Sequence, residues 1–425
     1  MKKTSHKSKK SAFGAVLSCQ VCGAKTLEPV LDLGHHAIVQ NYLNAKQLNE
    51  PETTYPLRLV RCSACTLVQL DYIVDQRLVF PLSYPYRTGL TNMLLRNFEE
   101  LAEKMKIDGQ FKERDVVVDI GSNDGSLLKS FKSRGARVAG VEPTDAAKVA
   151  NKSGIFTLQE YFTDKSAAKI IKKFGNVKVI TATNVFAHIL DTAGLVRAIK
   201  LMMNKESIFV SESQYLGDIV DHLEFDTIYH EHLRFYSLTS LVALAKKFGL
   251  SIIDAERISA AGGSVRVWMM LGKKEMSSRA QALLKEEVES GLTSKEKMHE
   301  FASRCIAAKQ SLLALVLDIK QSGKAAGATI AAISSSARSN TLLGFSKITP
   351  DVLSYAGERK GSPKIGLYTP GAHIPVVDEE KIFKDQPEYA LLLSWHIGEE
   401  LMRIYRKIGY KGKFIMPLPE AKIID

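Results

Sequence analysis

The chain has 425 residues, 45% hydrophobic and 24% charged, with a mean hydropathy of −0.06 and a formal net charge of +12. That length exceeds one ordinary core and predicts two or three domains. No apolar run reaches the roughly 18 residues that a membrane span needs, so no membrane partner and a cytoplasmic location are expected. The positive charge does not call for a nucleic-acid partner. Five of the lysines (Lys2, Lys3, Lys7, Lys9 and Lys10) lie in the first ten residues, and no basic stripe is interleaved with aromatic side chains. A mild positive field that draws in a diphosphate is the simpler reading.

Residues 1–14 read as a solvated, disordered basic tail. The short apolar stretch behind its lysines runs straight into a Cys-x-x-Cys, unlike the cleavage region of a secretory leader. Residues 15–80 carry two such pairs, Cys19/Cys22 and Cys62/Cys65. Two residues between thiolates suit a tetrahedral Zn²⁺, and two matching pairs make a closed four-sulfur structural site. Disulfides or a redox pair are the alternatives. A filled sulfur shell leaves no position for substrate, so such a metal stabilises the fold. Cys305 stands alone and reads as a small buried apolar residue.

Residues 81–275 read as a doubly wound α/β domain. A predicted amphipathic helix over 90–106 precedes a strand over 116–120, which runs into Gly121-Ser122-Asn123-Asp124-Gly125 and a helix over 126–133. A second strand over 137–141 ends in Glu142-Pro143. Glycines at such a turn let the backbone approach a ligand, and an acid about 20 residues on can accept from both ribose hydroxyls. The loop lacks the Gly-x-Gly-x-x-Gly that seats a pyrophosphate. It carries Asp119, Asn123 and Asp124 instead, acceptors that suit a cationic amino-acid moiety and favour S-adenosylmethionine over NAD. Further strands over 177–182 and 207–211 follow. The first leads into Asn184 and His188 at the carboxyl edge, where open sheets bind ligands.

The densest chemistry is the run from Glu224 to Ser237, with Tyr229-His230-Glu231-His232 at its centre. Two histidines at i,i+2 could share a metal, but the helical His-Glu-x-x-His spacing is absent. An acid/base site explains the run better, because burying or solvating so many polar groups without a purpose is costly. In the last third, residues 276–322 read as long bridging helices. Strands over 328–333 and 389–395 then indicate a second, smaller α/β domain within 276–425.

Taken in order, the cysteine knuckles, VVDIGSNDGSLL, GVEPT, NVFAHI, EFDTIYHEHLRFYS, NTLL, SPKIGLYTPGAHIPV and the closing KFIMPLP resemble those of sugar C-methyltransferases. That family acts on thymidine-diphosphate-linked 4-keto-6-deoxy sugars, and the similarity covers nearly the whole chain after the tail. The resemblance implies a zinc module, a class I S-adenosylmethionine methyltransferase domain and a Rossmann-like C-terminal domain, with a nucleotide sugar of deoxysugar biosynthesis as the small-molecule substrate. It implies a methyl group placed on the carbon next to the ketone, with Asp119, Gly121, Ser122, Asn123, Asp124, Gly125, Glu142, Pro143 and Asn184 around the cofactor. His232 would be the general base, Glu231 its support, and Tyr229 and His188 donors to the enolate. Tyr84 would close the pocket. Tyr86, Arg338, Asn340, Lys364, Tyr368 and His373 would contact the nucleotide sugar. Two departures bear on the substrate. Ala261-Gly262-Gly263-Ser264 stands where the family has His-Gly-Gly-Ser, and Ala332-Ile333-Ser334-Ser335 where it has Gly-Tyr-Gly-Ala. An NAD-linked nucleotide-sugar enzyme, a non-catalytic nucleotide-sugar binder and methyl transfer to oxygen or nitrogen stay open as alternatives. A monomer is expected, since no coiled coil or exposed apolar stripe is evident.

Overall fold

The computed structural model describes residues 13–81, 89, 92–322 and 328–425. Tyr84, Tyr86 and residues 1–12 of the basic tail lie outside the described residues. The first module holds β1 (Gly14–Ala15), β2 (Leu27–His36), β3 (Tyr55–Cys62), β4 (Val68–Leu70) and β5 (Tyr72–Ile73). Strands β2, β3 and β4 form an antiparallel meander, and β1 pairs with β5.

The second module is a seven-stranded sheet of β6 (Val116–Ile120), β7 (Arg137–Val141), β8 (Thr157–Leu158), β9 (Val177–Thr183), β10 (Ile208–Gln214), β12 (Leu250–Ile258) and β13 (Ser264–Leu271). Its order is β8-β7-β6-β9-β10-β13-β12. Pairings among the first five are parallel, while β13 and β12 run antiparallel at the far edge. The unbroken apolar run of β6 follows from burial on both faces. Val117 joins the cluster of Phe98, Leu101, Met105, Leu128 and Trp268, whereas Val116, Val118 and Ile120 point into the main core on the other side. Strand order reverses at β6, between its neighbours β7 and β9, and an open sheet offers a crevice at that point.

One short strand, β11 (Arg234–Phe235), leaves this module. It pairs with β4, so residues 234–235 complete the sheet of the first module. Two helices, Ser278–Glu289 and the 28-residue Lys295–Ser322, lead to the third module. There β14 (Ile330–Ile333), β15 (Ala356–Glu358), β16 (Val376–Asp378), β17 (Tyr389–Leu392), β18 (Lys413–Met416) and β19 (Lys422–Ile424) assemble in the order β16-β15-β14-β17-β18-β19. All pairings are parallel except β18 with β19. This sheet reverses its order at β14.

A buried ion cluster joins the second and third modules. Arg338, in the first turn of helix Ala337–Ser346, donates through Nε and Nη2 to Asp226 at 3.1 and 2.8 Å. Nη2 also lies 3.2 Å from Glu224, and Trp395 Nε1 donates to Asp226 at 2.8 Å. Burial pushes the Glu224 carboxyl up to about 8, against the pull of Arg338. Asp226→Ala would leave the guanidinium buried without its main partner. It should cost about 3–5 kcal/mol of stability, read as a lower midpoint in chemical denaturation.

Candidate active site

A cavity of about 570 Å³ opens where the order of both sheets reverses. From the second module it is walled by the ends of β6, β7, β9 and β10; from the third, by Ser336, Ala337, Arg338, Lys364, Ser394 and His396. The first module contributes Gln40, Gln76 and Phe80.

At the β6 end, Asp119 is buried and accepts from Thr181 Oγ1 at 2.7 Å. Burial, together with nearby Glu142, pushes its carboxyl up to about 7. Gly121 has a φ of +69°, and a Cβ there would stand 2.4 Å from Val185 Cγ2, so the turn needs glycine. Glu142 at the end of β7 accepts from Asn123 N at 3.1 Å, and from Thr144 N and Oγ1 at 2.9 and 2.6 Å. Asp119, Gly121, Ser122, Asn123, Glu142, Pro143 and Asn184 all line the cavity.

Asp124 and Gly125 are placed elsewhere. The Asp124 carboxylate accepts from Ser126 N and Oγ and from Gly89 N, which turns it onto the start of helix Ser126–Lys132. Gly125 is the left-handed residue before that helix, packed against Ala150 and Ile155. Both shape the turn and neither faces the cavity.

His188, Tyr229, Glu231 and His232 also line the cavity. The rings of Tyr229 and His188 sit 4.1 and 4.8 Å from that of His232, centroid to centroid. His232 Nδ1 donates to the Thr227 carbonyl at 2.7 Å, which assigns the hydrogen to Nδ1 and leaves the lone pair on Nε2. Burial pushes His232 down to about 4, and holds His188 well below the usual histidine range with help from His232 and Arg234. Both rings are therefore neutral at neutral pH.

The residues expected at the nucleotide sugar divide. Arg338 and Lys364 line the cavity, but the Arg338 guanidinium is already engaged by Asp226, and Lys364 Nζ donates to the Ser335 carbonyl. Asn340, Tyr368 and His373 do not reach the cavity and instead join the third module to the first. Asn340 Nδ2 donates to the Val39 carbonyl at 2.7 Å; Tyr368 exchanges backbone bonds with Leu43; His373 Nε2 bonds Glu52 at 2.9 Å. Spacing could not reveal this, since the partners lie some 300 residues away in the chain.

Of the two residues that stand where the family has glycine, Ala332 lies within β14 and Ser334 forms the turn after it. Ser334 follows β14 with a φ of +67°, a left-handed conformation disfavoured for a residue with a Cβ. It is held by its backbone bond to Gly357 and by a 2.6 Å hydroxyl contact with Ser394.

Three family models match the chain: a zinc binding domain over residues 19–80, a methyltransferase domain over 86–255 and a C-methyltransferase C-terminal domain over 259–419. Among curated proteins the chain is similar to C-methyltransferase NovU of Streptomyces niveus, 27% identical over 411 residues and covering 96% of each chain. The chain is an S-adenosylmethionine-dependent methyltransferase, and its three modules match those of the C-methyltransferases it resembles. Solved structures include magnesium protoporphyrin IX methyltransferase ChlM of Synechocystis PCC 6803 with bound SAM. It is 11% identical, covers 42% of this chain and 80% of that one, and has a TM-score of 0.33. A methyltransferase from Clostridium acetobutylicum ATCC 824 is 11% identical over 42% of this chain and 92% of that one, with a TM-score of 0.34. Neither bears on the activity.

The residues of this methyltransferase suit both groups that its modules imply. The sulfurs of Cys19, Cys22, Cys62 and Cys65 lie within 4.8 Å of one another, with Cys19–Cys65 and Cys22–Cys62 each at 3.5 Å. Zn–S bonds of about 2.3 Å in a tetrahedron need sulfur separations of about 3.8 Å, so a Zn²⁺ fits between these thiolates. For the cofactor, the cavity presents a buried carboxyl at Asp119 that has no cation beside it among the described residues. Among the described residues, the buried hydroxyl of Ser213 there has no hydrogen-bond partner. A ligand with cationic and hydroxyl groups answers both. The sequence reading missed Gln40, Tyr161, Phe162, Gln214, Ser394 and His396, which also line the cavity. Tyr161-Phe162 just after β8 was the one available signal, an aromatic pair at the carboxyl edge of a strand.

Two outcomes follow. Cys19→Ser should lower zinc content and thermal stability together; unchanged zinc stoichiometry would refute the four-sulfur site. His36, His230, His232 and His396 are each pushed down to about 4 by burial, and His188 is lowered too. Unfolded histidines take up protons near pH 6.5, so stability should fall as pH drops from about 6.5 towards 4. Asp119, Glu224 and Asp218, whose carboxyls burial raises, work in the opposite direction but are fewer. Denaturation midpoints at pH 7 and pH 5 measure the difference.

Proposed function

We propose that the protein methylates the carbon next to the ketone of a nucleotide-linked 4-keto-6-deoxy sugar, through an enolate formed by His232. The observation that carries this reading is the His232 ring, tied through Nδ1 and neutral, on the wall of a cavity shared by two sheet-edge crevices. One crevice suits S-adenosylmethionine and the other a nucleotide, leaving the reacting carbon between them. The bound cofactor supplies an electrophilic methyl group on a sulfonium, which needs no metal.

Carbon becomes nucleophilic here only after losing a proton next to a carbonyl. His232 Nε2 takes that proton, with Thr227 holding Nδ1 so that the lone pair stays on the reactive side. The electron pair left on carbon moves towards the ketone oxygen, where Tyr229 and His188 are the donors. As the new carbon–carbon bond forms, the sulfur–methyl bond breaks and the ketone is restored. Burial makes His232 a weak base before substrate binds, but negative charge developing beside it favours its protonated form. Glu231, buried in the same wall, supports that charge. Asp119 takes the cofactor's ammonium and Glu142 its ribose, while Lys364 and the start of helix Ala337–Ser346 meet the diphosphate.

His232→Ala should reduce turnover by roughly 10²-fold or more while leaving S-adenosylmethionine binding unchanged. The parent enzyme, given a keto-sugar nucleotide in deuterated water without cofactor, should exchange the hydrogen next to the ketone. Methylation without any such exchange in the parent would point to an oxygen or nitrogen acceptor.

A further inference from the structure

We propose that the four-cysteine module holds the active-site loop through Arg234: a metal-bound tetrathiolate neutralises this buried guanidinium, which in turn fixes the carbonyls flanking His188. The proposal takes from the preceding reading only that His188 belongs to the site, and its test does not depend on turnover.

Arg234 is 1% exposed and lines the cavity. Its guanidinium donates to the Ile189 carbonyl at 2.9 Å from Nη1 and again from Nη2, to Leu190 at 3.4 Å and to Phe186 at 3.5 Å. These carbonyls bracket His188, so one side chain sets the path of the loop that carries it. Carbonyl dipoles orient a guanidinium but bring no net charge, and arginine does not escape burial by losing its proton. Among the described residues no carboxylate pairs with Arg234, and its Nε has no hydrogen-bond partner. Burial pushes the group below the usual arginine range, and Tyr236 and Cys19 oppose that push.

The route to the cysteines is short and built. Arg234 lies on β11, opposite Gln69 of β4. Gln69 accepts from Gln20 N at 2.8 Å and donates to the Ser18 carbonyl at 3.4 Å, gripping the chain on both sides of Cys19. Gln20 Nε2 reaches back to the Leu233 carbonyl at 3.4 Å, next to Arg234 itself. Four thiolates around a divalent ion carry net negative charge, so metal binding places an anionic cluster behind the one strand that presents this cation to the site. Arg234 is thus a positioning residue, and metal occupancy and loop order are linked in both directions.

Full-length zinc-loaded protein, its chelator-stripped form and Arg234→Met would be compared by zinc competition titration and by hydrogen exchange across residues 185–192. Stripping the parent should raise exchange in 185–192. Arg234→Met should bind zinc on the order of 10-fold to 100-fold more weakly and exchange faster there even when loaded. Equal zinc affinity in Arg234→Met, or unchanged protection of 185–192 after stripping, overturns the proposal. Should Arg234→Met or the stripped protein unfold throughout, seen as fast exchange in 295–322 as well, loaded Arg234→Lys decides. It keeps the charge but has fewer donors, so it must exchange faster in 185–192; protection equal to the parent overturns the proposal.

Discussion

Between Glu224 and Ser237 the chain buries two glutamates, an aspartate, two histidines, a tyrosine pair and an arginine, each at most 8% exposed. Buried polar groups are tolerated only when hydrogen-bonded or paired, and no single module could satisfy this run. Asp226 and Glu224 take their cation from the third module, through Arg338. His230 donates to the Pro56 carbonyl of the first module, and residues 234–235 become a strand of that module's sheet. His232 is satisfied locally by Thr227, whose own hydroxyl donates to Gln214 at the end of β10. The three-module architecture can be understood as the solution to this one demand.

That solution also explains how the site is stiffened. The lone pair of His232 is oriented by a backbone carbonyl, and the residue beside that carbonyl is clamped by Arg338 and Trp395. A side chain held in this way loses little entropy when it meets a ligand. The same clamp places the first turn of helix Ala337–Ser346 at the cavity, so that the third module's crevice and the His232 ring share a frame.

Zinc modules with four cysteine ligands do no chemistry of their own, and the one here sits away from the reacting groups in sequence. Its sheet nonetheless has the chemistry-bearing segment as its fourth strand, with Gln20 and Gln69 as the joint. Stability supplied by metal at the knuckle is thereby delivered where the polar run most needs it.

Much of the plan is legible along the chain because it depends on local pattern. The knuckles, the apolar β6 running into Gly121, the acid ending β7 and the polar run 224–237 each follow from short-range rules of metal spacing, turn geometry and burial. Asp124 marks the limit of that reading: an aspartate that faces a ligand and one that bonds the start of the following helix are written alike, and only the bonds to Ser126 and Gly89 tell them apart. Asn340, Tyr368 and His373 were beyond sequence reading for a different reason. Their partners, Val39, Leu43 and Glu52, are brought to them by the packing of whole modules. Sequence by itself determined the modules, their order and the residue types able to bind metal, cofactor and proton. Tertiary structure decided which polar side chains face the cavity and which bind the modules together, because that choice depends on contacts between residues hundreds of positions apart.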